Sequence, residues 1–345
     1  MNQKKISVCV PAYNRPETIR QLINSFKNQT YPNKELVICD DSPTDNVKKV
    51  VDELNDGNII YQKNSPSLGF PKNLLHSLMS ADGDYRLTIG DDDILFSPLT
   101  LERYVRAFEA NPSVSFIYPN MIQFNDDCNV ECSFNVFPKD QVFSAGENAI
   151  KSLLNFSVFI GGQCFRGNIP FETLYPEREI LHPQVQLVGE VLARSDGMGL
   201  SIYAVGARTH NDQIIFRAMK DKSIQKDGKH MTIELLDIFD ELKKKCNWLF
   251  TNEFLVHQII NSYLPVMIKE KIILGNPYLT QYYKSFCDRS PIALKSWKLK
   301  LVYYACLILP KKMLILLRIV IMKAIQFVHQ REYKMFGREL EAIIT

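Results

Sequence analysis

The chain has 345 residues, of which 46% are apolar and 23% are charged, with 41 Lys and Arg against 38 Asp and Glu. This composition excludes a disordered chain, and a net charge of +3 does not indicate a partner nucleic acid. The charge is unevenly distributed, because residues 295–345 carry 10 basic and 3 acidic side chains, whereas residues 1–294 carry 31 basic and 35 acidic ones. The length indicates one large domain with an extension, or two domains.

The first 120 residues alternate short β-branched or aromatic runs with segments of helical periodicity. The runs predict strands at 6–10, 35–39, 58–61, 85–89 and 114–118, and the periodic segments predict helices at 16–28, 44–54, 71–80 and 98–110. Strand alternating with helix predicts an α/β fold whose mostly parallel, Rossmann-like sheet is flanked by helices. Ligands of such sheets bind at the carboxyl ends of the strands, so the residues that follow each strand are candidates for a site.

The pattern is less regular beyond residue 120. It predicts short strands at 164–165 and 200–205, a helix at 184–193, and long helices after residue 220. We therefore divide the chain into a domain at 1–220, with halves 1–120 and 121–220, and a helical C-terminal extension at 221–345.

The start of the chain is polar, and the apolar run 6–10 that follows is too short for a signal-peptide core. We therefore expect a cytoplasmic protein. Cys128 and Cys132 have no matching second pair, so the eight cysteines are expected to be free thiols rather than zinc ligands or disulfides.

Polar residues follow four successive predicted strands. They are Tyr13 to Arg15, Asp40 to Ser42, Asn64 to Gly69, and Gly90 to Asp93. Three adjacent aspartates repel one another, and a Mg²⁺ or Mn²⁺ ion shared with substrate phosphates would offset that repulsion; a solvated turn is the alternative. Asp40 and Asp41 could bind a nucleoside or cap the next helix. Neither a Gly-x-Gly-x-x-Gly nor a P-loop pattern is present, which argues against a dinucleotide dehydrogenase or a P-loop kinase.

Taken in order, these motifs resemble family 2 of the glycosyltransferases. The residues that carry the resemblance are Ser7 to Arg15, Leu36 to Ser42, Asn64 with Gly69 and Lys72-Asn73, and Gly83-Asp84-Tyr85 leading into Asp91-Asp92-Asp93. The resemblance covers residues 5–120 strongly and 120–215 weakly. It implies a GT-A fold, an inverting transfer, a nucleotide-sugar donor of UDP or dTDP type bound by 1–120, an acceptor half at 121–220, and a divalent metal held by a DxD-type motif.

The resemblance also implies individual roles. Asp41, with Asp40 as the alternate, would accept the N3–H of a uracil or thymine ring, and Lys72 would lie near the diphosphate without the bidentate fork of the family's usual Arg. Gly90 stands where the family has an acidic residue, which would shift the metal ligands by one position. The donor-binding set is Pro11, Tyr13, Arg15, Asp40, Asp41, Asn64, Gly69, Lys72, Asp91 and Asp92, and the metal set is Asp93, Asp91 and His210.

A general base is expected just before the helix at 184–193, where the family usually has Glu-Asp or Asp. This chain has no such pair at 177–184. His182 is the nearest substitute, because it precedes the helix and histidine is a common general base. Glu179 is the second candidate, and a packing or capping role for His182 is the alternative.

The basic segment at 295–330 contains an unbroken apolar run at 301–309 and a second apolar stretch at 313–328. Neither reaches the roughly 20 residues that span a bilayer. The cations share one arc of the second stretch and predict an interfacial helix on anionic lipid, peripheral on the inner face of the cell membrane; burial against the first domain is the alternative. This location would suit a transferase with a glycan or lipid-linked acceptor in surface polysaccharide synthesis. A catalytically degenerate nucleotide-sugar-binding or assembly protein of the same fold is the alternative function.

Overall fold

The computed structural model describes residues 3–54, 56–175, 180–209, 231–248 and 253–344. The chain divides into two compact units, one of Met1–Thr209 with Arg331–Thr345 and one of His210–Gln330. Residues 331–345, which the sequence analysis grouped with the helical extension, thus pack with the first unit. The boundaries at 120 and 220 stay predictions.

The first unit is built on one ten-stranded sheet. Its strands are β1 Ile6–Ala12, β2 Lys34–Asp40, β3 Ile59–Lys63, β4 Tyr85–Thr88, β5 Ile94–Leu95, β6 Val114–Phe124, β7 Val130–Phe134, β8 Gln141–Phe143, β9 Cys164–Arg166 and β10 Asp196–Arg208. Its helices are α1 Pro16–Lys27, α2 Asn46–Leu54, α3 Phe70–Met79, α4 Thr100–Ala110, α5 Glu147–Leu153, α6 Phe171–Leu174, α7 Pro183–Arg194 and the C-terminal α14 Gln330–Ile344. A 3₁₀ segment, Leu154–Val158, follows α5.

The strand order is β3-β2-β1-β4-β9-β6-β10-β5, with β7 beside β6 and β8 beside β10. Strands β3, β2, β1 and β4 run parallel, β9 runs antiparallel to both β4 and β6, and β6 pairs parallel with β10. This central sheet flanked by helices confirms the predicted α/β class, but five of its nine strand pairings are antiparallel, so the sheet of the described residues is mixed rather than mostly parallel. Every residue of β1 and all but the first of β2 are buried, as expected for strands covered on both faces.

Register brings the carboxyl ends of the parallel strands to one edge. Ala12 of β1 lies opposite Asp40 of β2, and Asp40 lies opposite Lys63 of β3. Helices α1, α3 and α7 start with a Pro in the first turn, where its missing N–H costs nothing. The loops between these strands and helices therefore share the edge where the sequence analysis placed the site.

The C-terminal helix α14 packs on the sheet next to β5. Its residues Tyr333, Phe336 and Leu340 join a buried cluster that includes Phe96 and Phe124. The rings of Phe336 and Phe96 are perpendicular, with centroids 5.5 Å apart. The last helix is therefore part of the core beside the strand that follows the three aspartates.

The second unit is helical over its described residues. It contains α8 Met231–Lys245, α9 Glu253–Leu274, α10 Asn276–Arg289, α11 Pro291–Lys295, α12 Trp297–Ile308 and α13 Lys311–Val328. Arg289 lies 2.7 Å from carboxylate oxygens of both Asp237 and Asp240, which ties α10 to α8. Among the helices that the structure describes, none combines the length and hydropathy that crossing a bilayer requires.

Candidate active site

The three aspartates follow β4 and are bound to the loop after β1. Asp91 Oδ2 accepts a hydrogen bond from Tyr13 N at 2.7 Å, and Asp91 Oδ1 accepts one from Arg15 Nη1 at 2.6 Å. Thr18 Oγ1 donates to the Asp91 carbonyl at 2.7 Å. Arg15 Nη1 also lies 3.1 Å from Asp92 Oδ2. Tyr13 and Arg15, which are predicted to bind the nucleotide-sugar donor, thus contact the loop that is predicted to bind the metal.

The carboxylates differ in burial and charge. Burial raises the pKa of Asp91 to about 6, an effect that Arg15 opposes and Asp92 reinforces. Asp93 is only 2% exposed, and burial together with repulsion from Asp92 raises its pKa well above the usual range. Asp93 Oδ1 accepts a hydrogen bond from Arg208 N at 3.1 Å. Asp92 is the most accessible of the three, so it rather than Asp93 presents a carboxylate toward solvent.

Gly90 leaves room for these carboxylates. A Cβ atom at this position would lie 2.7 Å from Asp93 Oδ2 and 2.9 Å from Asp92 Oδ1. A Cβ at Gly161 would lie 3.2 Å from the same Asp93 oxygen, so the Gly161-Gly162 loop borders the cluster. A side chain at position 90 would therefore crowd the carboxyl groups of both Asp92 and Asp93.

Asp40 stabilises the turn after β2. Its Oδ1 accepts from Ser42 N at 2.9 Å and from Ser42 Oγ, and its Oδ2 accepts from Tyr61 OH at 2.7 Å and Lys63 Nζ at 3.2 Å. A carboxylate has about four acceptor directions, and all of them are used here. The geometry therefore favours Asp41 over Asp40 for a contact with a nucleoside.

Asp41 organises the loop after β3. Its Oδ1 accepts from Asn64 Nδ2 at 2.6 Å and from Leu68 N at 3.0 Å, and its Oδ2 accepts from Gly69 N at 2.7 Å. Asn64 Nδ2 also donates to Asn73 Oδ1 at 2.8 Å. Gly69 has a φ of +77°, in the left-handed region that favours glycine. The described residues thus supply three donors to Asp41, one fewer than the roughly four acceptor directions of a carboxylate.

Asn73 links this network to the sheet, because its Nδ2 donates to the carbonyl of Cys39 at 2.9 Å. The sequence motif contained Asn73, but its role had no separate signal. Lys72 lies beside it in the first turn of α3. Pro11 is buried in β1 opposite Cys39, whereas the Tyr13 side chain is 46% exposed and can contact a ligand.

Arg208 is the residue that the sequence analysis missed. It ends β10, is buried, and donates through Nε to the Asp92 carbonyl at 3.2 Å. Its other guanidinium nitrogens contact Asp126 Oδ1 at 3.2 Å and Gln21 Oε1. It lies 115 residues from Asp93 in the sequence, and only the pairing of β10 with β5 brings the two together.

His182 precedes α7, as predicted, and is 4% exposed. Its side chain makes no capping hydrogen bond to the helix, so the capping alternative does not describe it. The other base candidate, Glu179, and the third predicted metal ligand, His210, lie outside the described residues. The proposed roles of all these residues stay predictions.

Comparisons with known proteins give the family of the N-terminal part of the chain and the fold. Residues 7–130 match the family Glycosyl transferase family 2. The chain is 42% identical to abequosyltransferase RfbV of Salmonella typhimurium over 95 residues, which are 26% of this chain and 28% of that protein. It is 32% identical to the UDP-Glc:α-D-GlcNAc-diphosphoundecaprenol β-1,3-glucosyltransferase WfgD of Escherichia coli over 127 residues, 37% of this chain and 49% of that one. The chain thus matches less than half the length of these curated relatives.

The fold has solved counterparts. The crystal structure of S. aureus TarS 1–349 in complex with UDP-GlcNAc superposes with a TM-score of 0.61 at 15% identity, covering 88% of this chain and 90% of that one. At this identity the likeness concerns the fold alone. Residues 7–130 are therefore a Glycosyl transferase family 2 domain, and the fold of the chain is the GT-A fold.

Proposed function

We propose that this chain is an inverting glycosyltransferase that moves a sugar from a UDP- or dTDP-type donor to a hydroxyl group of a glycan or lipid-linked acceptor in surface polysaccharide synthesis. The proposal depends on contacts that connect the loops at the carboxyl ends of the strands. Arg15 pairs with Asp91 and Asp92, and Asp41 accepts a hydrogen bond from Gly69 N at the start of α3. The name of WfgD specifies a UDP-glucose donor and a diphosphoundecaprenol acceptor, and this similarity supports the donor and acceptor classes.

The donor would lie across the ends of β1, β2 and β3. The remaining acceptor direction of Asp41 suits the N3–H of a uracil or thymine ring, and the exposed Tyr13 ring offers a surface for the base. Lys72 at the start of α3 would face the diphosphate, where a helix N-terminus also favours negative charge. Its single ammonium supplies charge without the geometry of a bidentate Arg.

The residues present fit a Mg²⁺ or Mn²⁺ ion that is shared with the donor. Within the described residues no group of three or more His, Cys, Asp or Glu side chains is arranged to hold a metal. Such ions are commonly held by one or two carboxylates and substrate phosphates, an arrangement that the accessible Asp92 can supply. We therefore favour Asp92 over the buried Asp93 as the main ligand. When bound, the ion would stabilise the negative charge on the departing diphosphate.

Transfer with inversion needs a base on the face of the sugar opposite the diphosphate. The acceptor oxygen attacks the anomeric carbon, the bond from that carbon to the phosphate oxygen breaks, and the nucleoside diphosphate leaves with the electron pair. We propose that a ring nitrogen of His182 takes the proton of the acceptor hydroxyl. Because His182 is 4% exposed, this role requires that the acceptor hydroxyl reach it in an enclosed site.

Turnover should be measured with a panel of nucleotide sugars and Mn²⁺, comparing the parent with Asp92→Ala. Asp52→Ala is the matched control, because Asp52 pairs with Lys48 on the exposed face of α2. We expect metal-dependent transfer that Asp92→Ala abolishes and Asp52→Ala preserves. Binding of UDP without turnover of any donor would instead favour the catalytically degenerate alternative.

His182→Ala tests the base separately. It should retain donor binding and lose turnover, because the proton acceptor is removed while the proposed donor-binding residues at the ends of β1, β2 and β3 are unchanged. Unchanged turnover would exclude His182 as the base. The proposed location, peripheral on the inner face of the cell membrane, would bring such an enzyme to a lipid-linked acceptor.

A further inference from the structure

Helix α12 carries an apolar stripe on its exposed side. Trp297, Leu301, Tyr304 and Ile308 recur at helical spacing and are all exposed, Trp297 by 68% and Ile308 by 78%. The opposite side of the helix supplies the buried residues Leu299, Tyr303 and Cys306. An apolar stripe that faces water beside a separate buried face is typical of an interaction surface.

Helix α13 is exposed to a greater extent. Among its described side chains only Leu314 is buried. At 100° per residue, one arc of about 140° contains only apolar side chains, and the two lysines at 312 and 323 border it. The exposed members of that arc are Met313, Leu316, Leu317, Val320, Ile321 and Val328. Within the second unit, the described residues leave these members of the arc exposed.

The charge around both helices has one sign. Between Asp288 and Glu332 the sequence contains nine Lys and Arg and no acidic residue. A second copy of the chain docked on this surface would bring two sets of cations together, which is unfavourable. Anionic phosphate headgroups beside acyl chains complement both the cations and the apolar residues. The four cations within α13 and its length of 18 residues fit a helix that lies in the interface rather than across it.

We propose that α12 and α13 form a lipid-binding surface that inserts the α12 stripe and the α13 arc between the headgroups of an anionic bilayer. The inference deepens the proposed membrane location by naming the inserted residues. It does not depend on donor chemistry, so vesicle binding without nucleotide sugar tests it independently of the transferase activity.

The full-length protein should be sedimented with vesicles of phosphatidylglycerol and phosphatidylethanolamine, and with vesicles of phosphatidylcholine alone. We expect binding to the anionic vesicles that weakens with salt and is at least tenfold weaker on phosphatidylcholine. Leu316→Glu with Val320→Glu should abolish sedimentation, and both positions are exposed, so the fold should survive. The matched control is Met79→Glu with Leu99→Glu, which places the same charges on exposed apolar residues of the first unit.

Replacing Lys311, Lys312, Arg318 and Lys323 with Gln should weaken binding to anionic vesicles by about 100-fold or more, since each cation near the surface contributes roughly fivefold. Replacing the exposed Lys243, Lys244 and Lys245 of α8 with Gln is the charge control. Equal sedimentation of the parent and the Glu variant would overturn the proposal. A dimer in ultracentrifugation that the Glu variant dissociates, without vesicle binding by the parent, would assign the surface to a second copy instead.

Discussion

Substitution of Gly90 by Ala tests whether the positions of the aspartates determine activity. Ordinary contact for a Cβ begins near 3.4 Å, whereas the added methyl would lie 2.7 Å from Asp93 Oδ2 and 2.9 Å from Asp92 Oδ1. The two oxygens would have to withdraw by about 0.7 and 0.5 Å to restore ordinary contact. Asp93 has little room to do so, because Arg208 N binds its other oxygen and the backbone of Gly161 lies close by.

A displacement of about 1 Å in a catalytic group can cost about 100-fold in rate, so we expect Gly90→Ala to lower kcat by about 10- to 100-fold. Crowding of this kind also costs about 1–3 kcal/mol in the free energy of unfolding. Donor turnover with a Mn²⁺ titration and denaturant unfolding would measure the two effects. Gly57→Ala is the control, because a Cβ at Gly57 meets nothing within 4 Å.

Gly90→Asp sharpens the test. If the glycine marks a lost acidic ligand, restoring the carboxylate should raise activity and metal affinity. If the glycine is required by packing, Gly90→Asp should be at least as inactive as Gly90→Ala, since it adds charge as well as volume beside two carboxylates. A wild-type kcat and an unchanged metal dependence in both variants would refute this explanation of the loop at residues 90–93, here called the aspartate loop.

Three further changes probe other parts of the first unit. Asp41→Asn should lower the free energy of unfolding by about 1–3 kcal/mol and weaken UDP binding in calorimetry, because it turns an amide toward backbone N–H donors; unchanged values would contradict this. Without metal, the raised pKa of Asp91, about 6, means that its ionisation disfavours the fold, so the contribution of Asp91 to the free energy of unfolding should fall as pH rises from about 4 to 6 in EDTA. Asp91→Asn should remove this contribution, and an equal pH dependence of the parent and the variant would argue against it. Phe336→Ala should cost about 3–5 kcal/mol in denaturant unfolding and reduce turnover, as Phe96 follows the aspartate loop closely, whereas the exposed control Met335→Ala should change neither.

The local sequence pattern was sufficient to predict the strands and helices that alternate regularly. The predicted first four strands and helices agree with β1 to β4 and α1 to α4 to within two residues at most ends, because each combines a clear period with turn residues. The two-residue β5 and the short β7 and β8 carry no periodic signal. Strands β5 and β8 form by pairing with β10, which lies far away in the sequence, and β7 forms by pairing with the preceding strand β6.

The same limit applies to the site. Motif order placed Arg15, Asp41 and Asp91 at one edge, but it could not show how each carboxylate is used. Asp40 and Asp41 are adjacent in sequence, yet Tyr61 and Lys63 donate hydrogen bonds to the carboxylate of Asp40 and leave it no free acceptor direction. That difference arises from β3 pairing with β2, and no residue-type pattern near the two aspartates encodes it.

Burial of ionised carboxylates in the aspartate loop lowers the stability of the free protein, and this has a consequence for its function. A turn that merely capped a helix would expose its carboxylates, whereas Asp91 and Asp93 are buried and have raised pKa values. Arg15 balances part of the charge, and the Arg208 guanidinium contacts Asp126, Gln21 and the Asp92 carbonyl. Strongly perturbed carboxyl groups beside an open edge are typical of functional sites. A cation brought in with a diphosphate would favour the ionised forms, so ligand binding and the stability of this loop should be coupled.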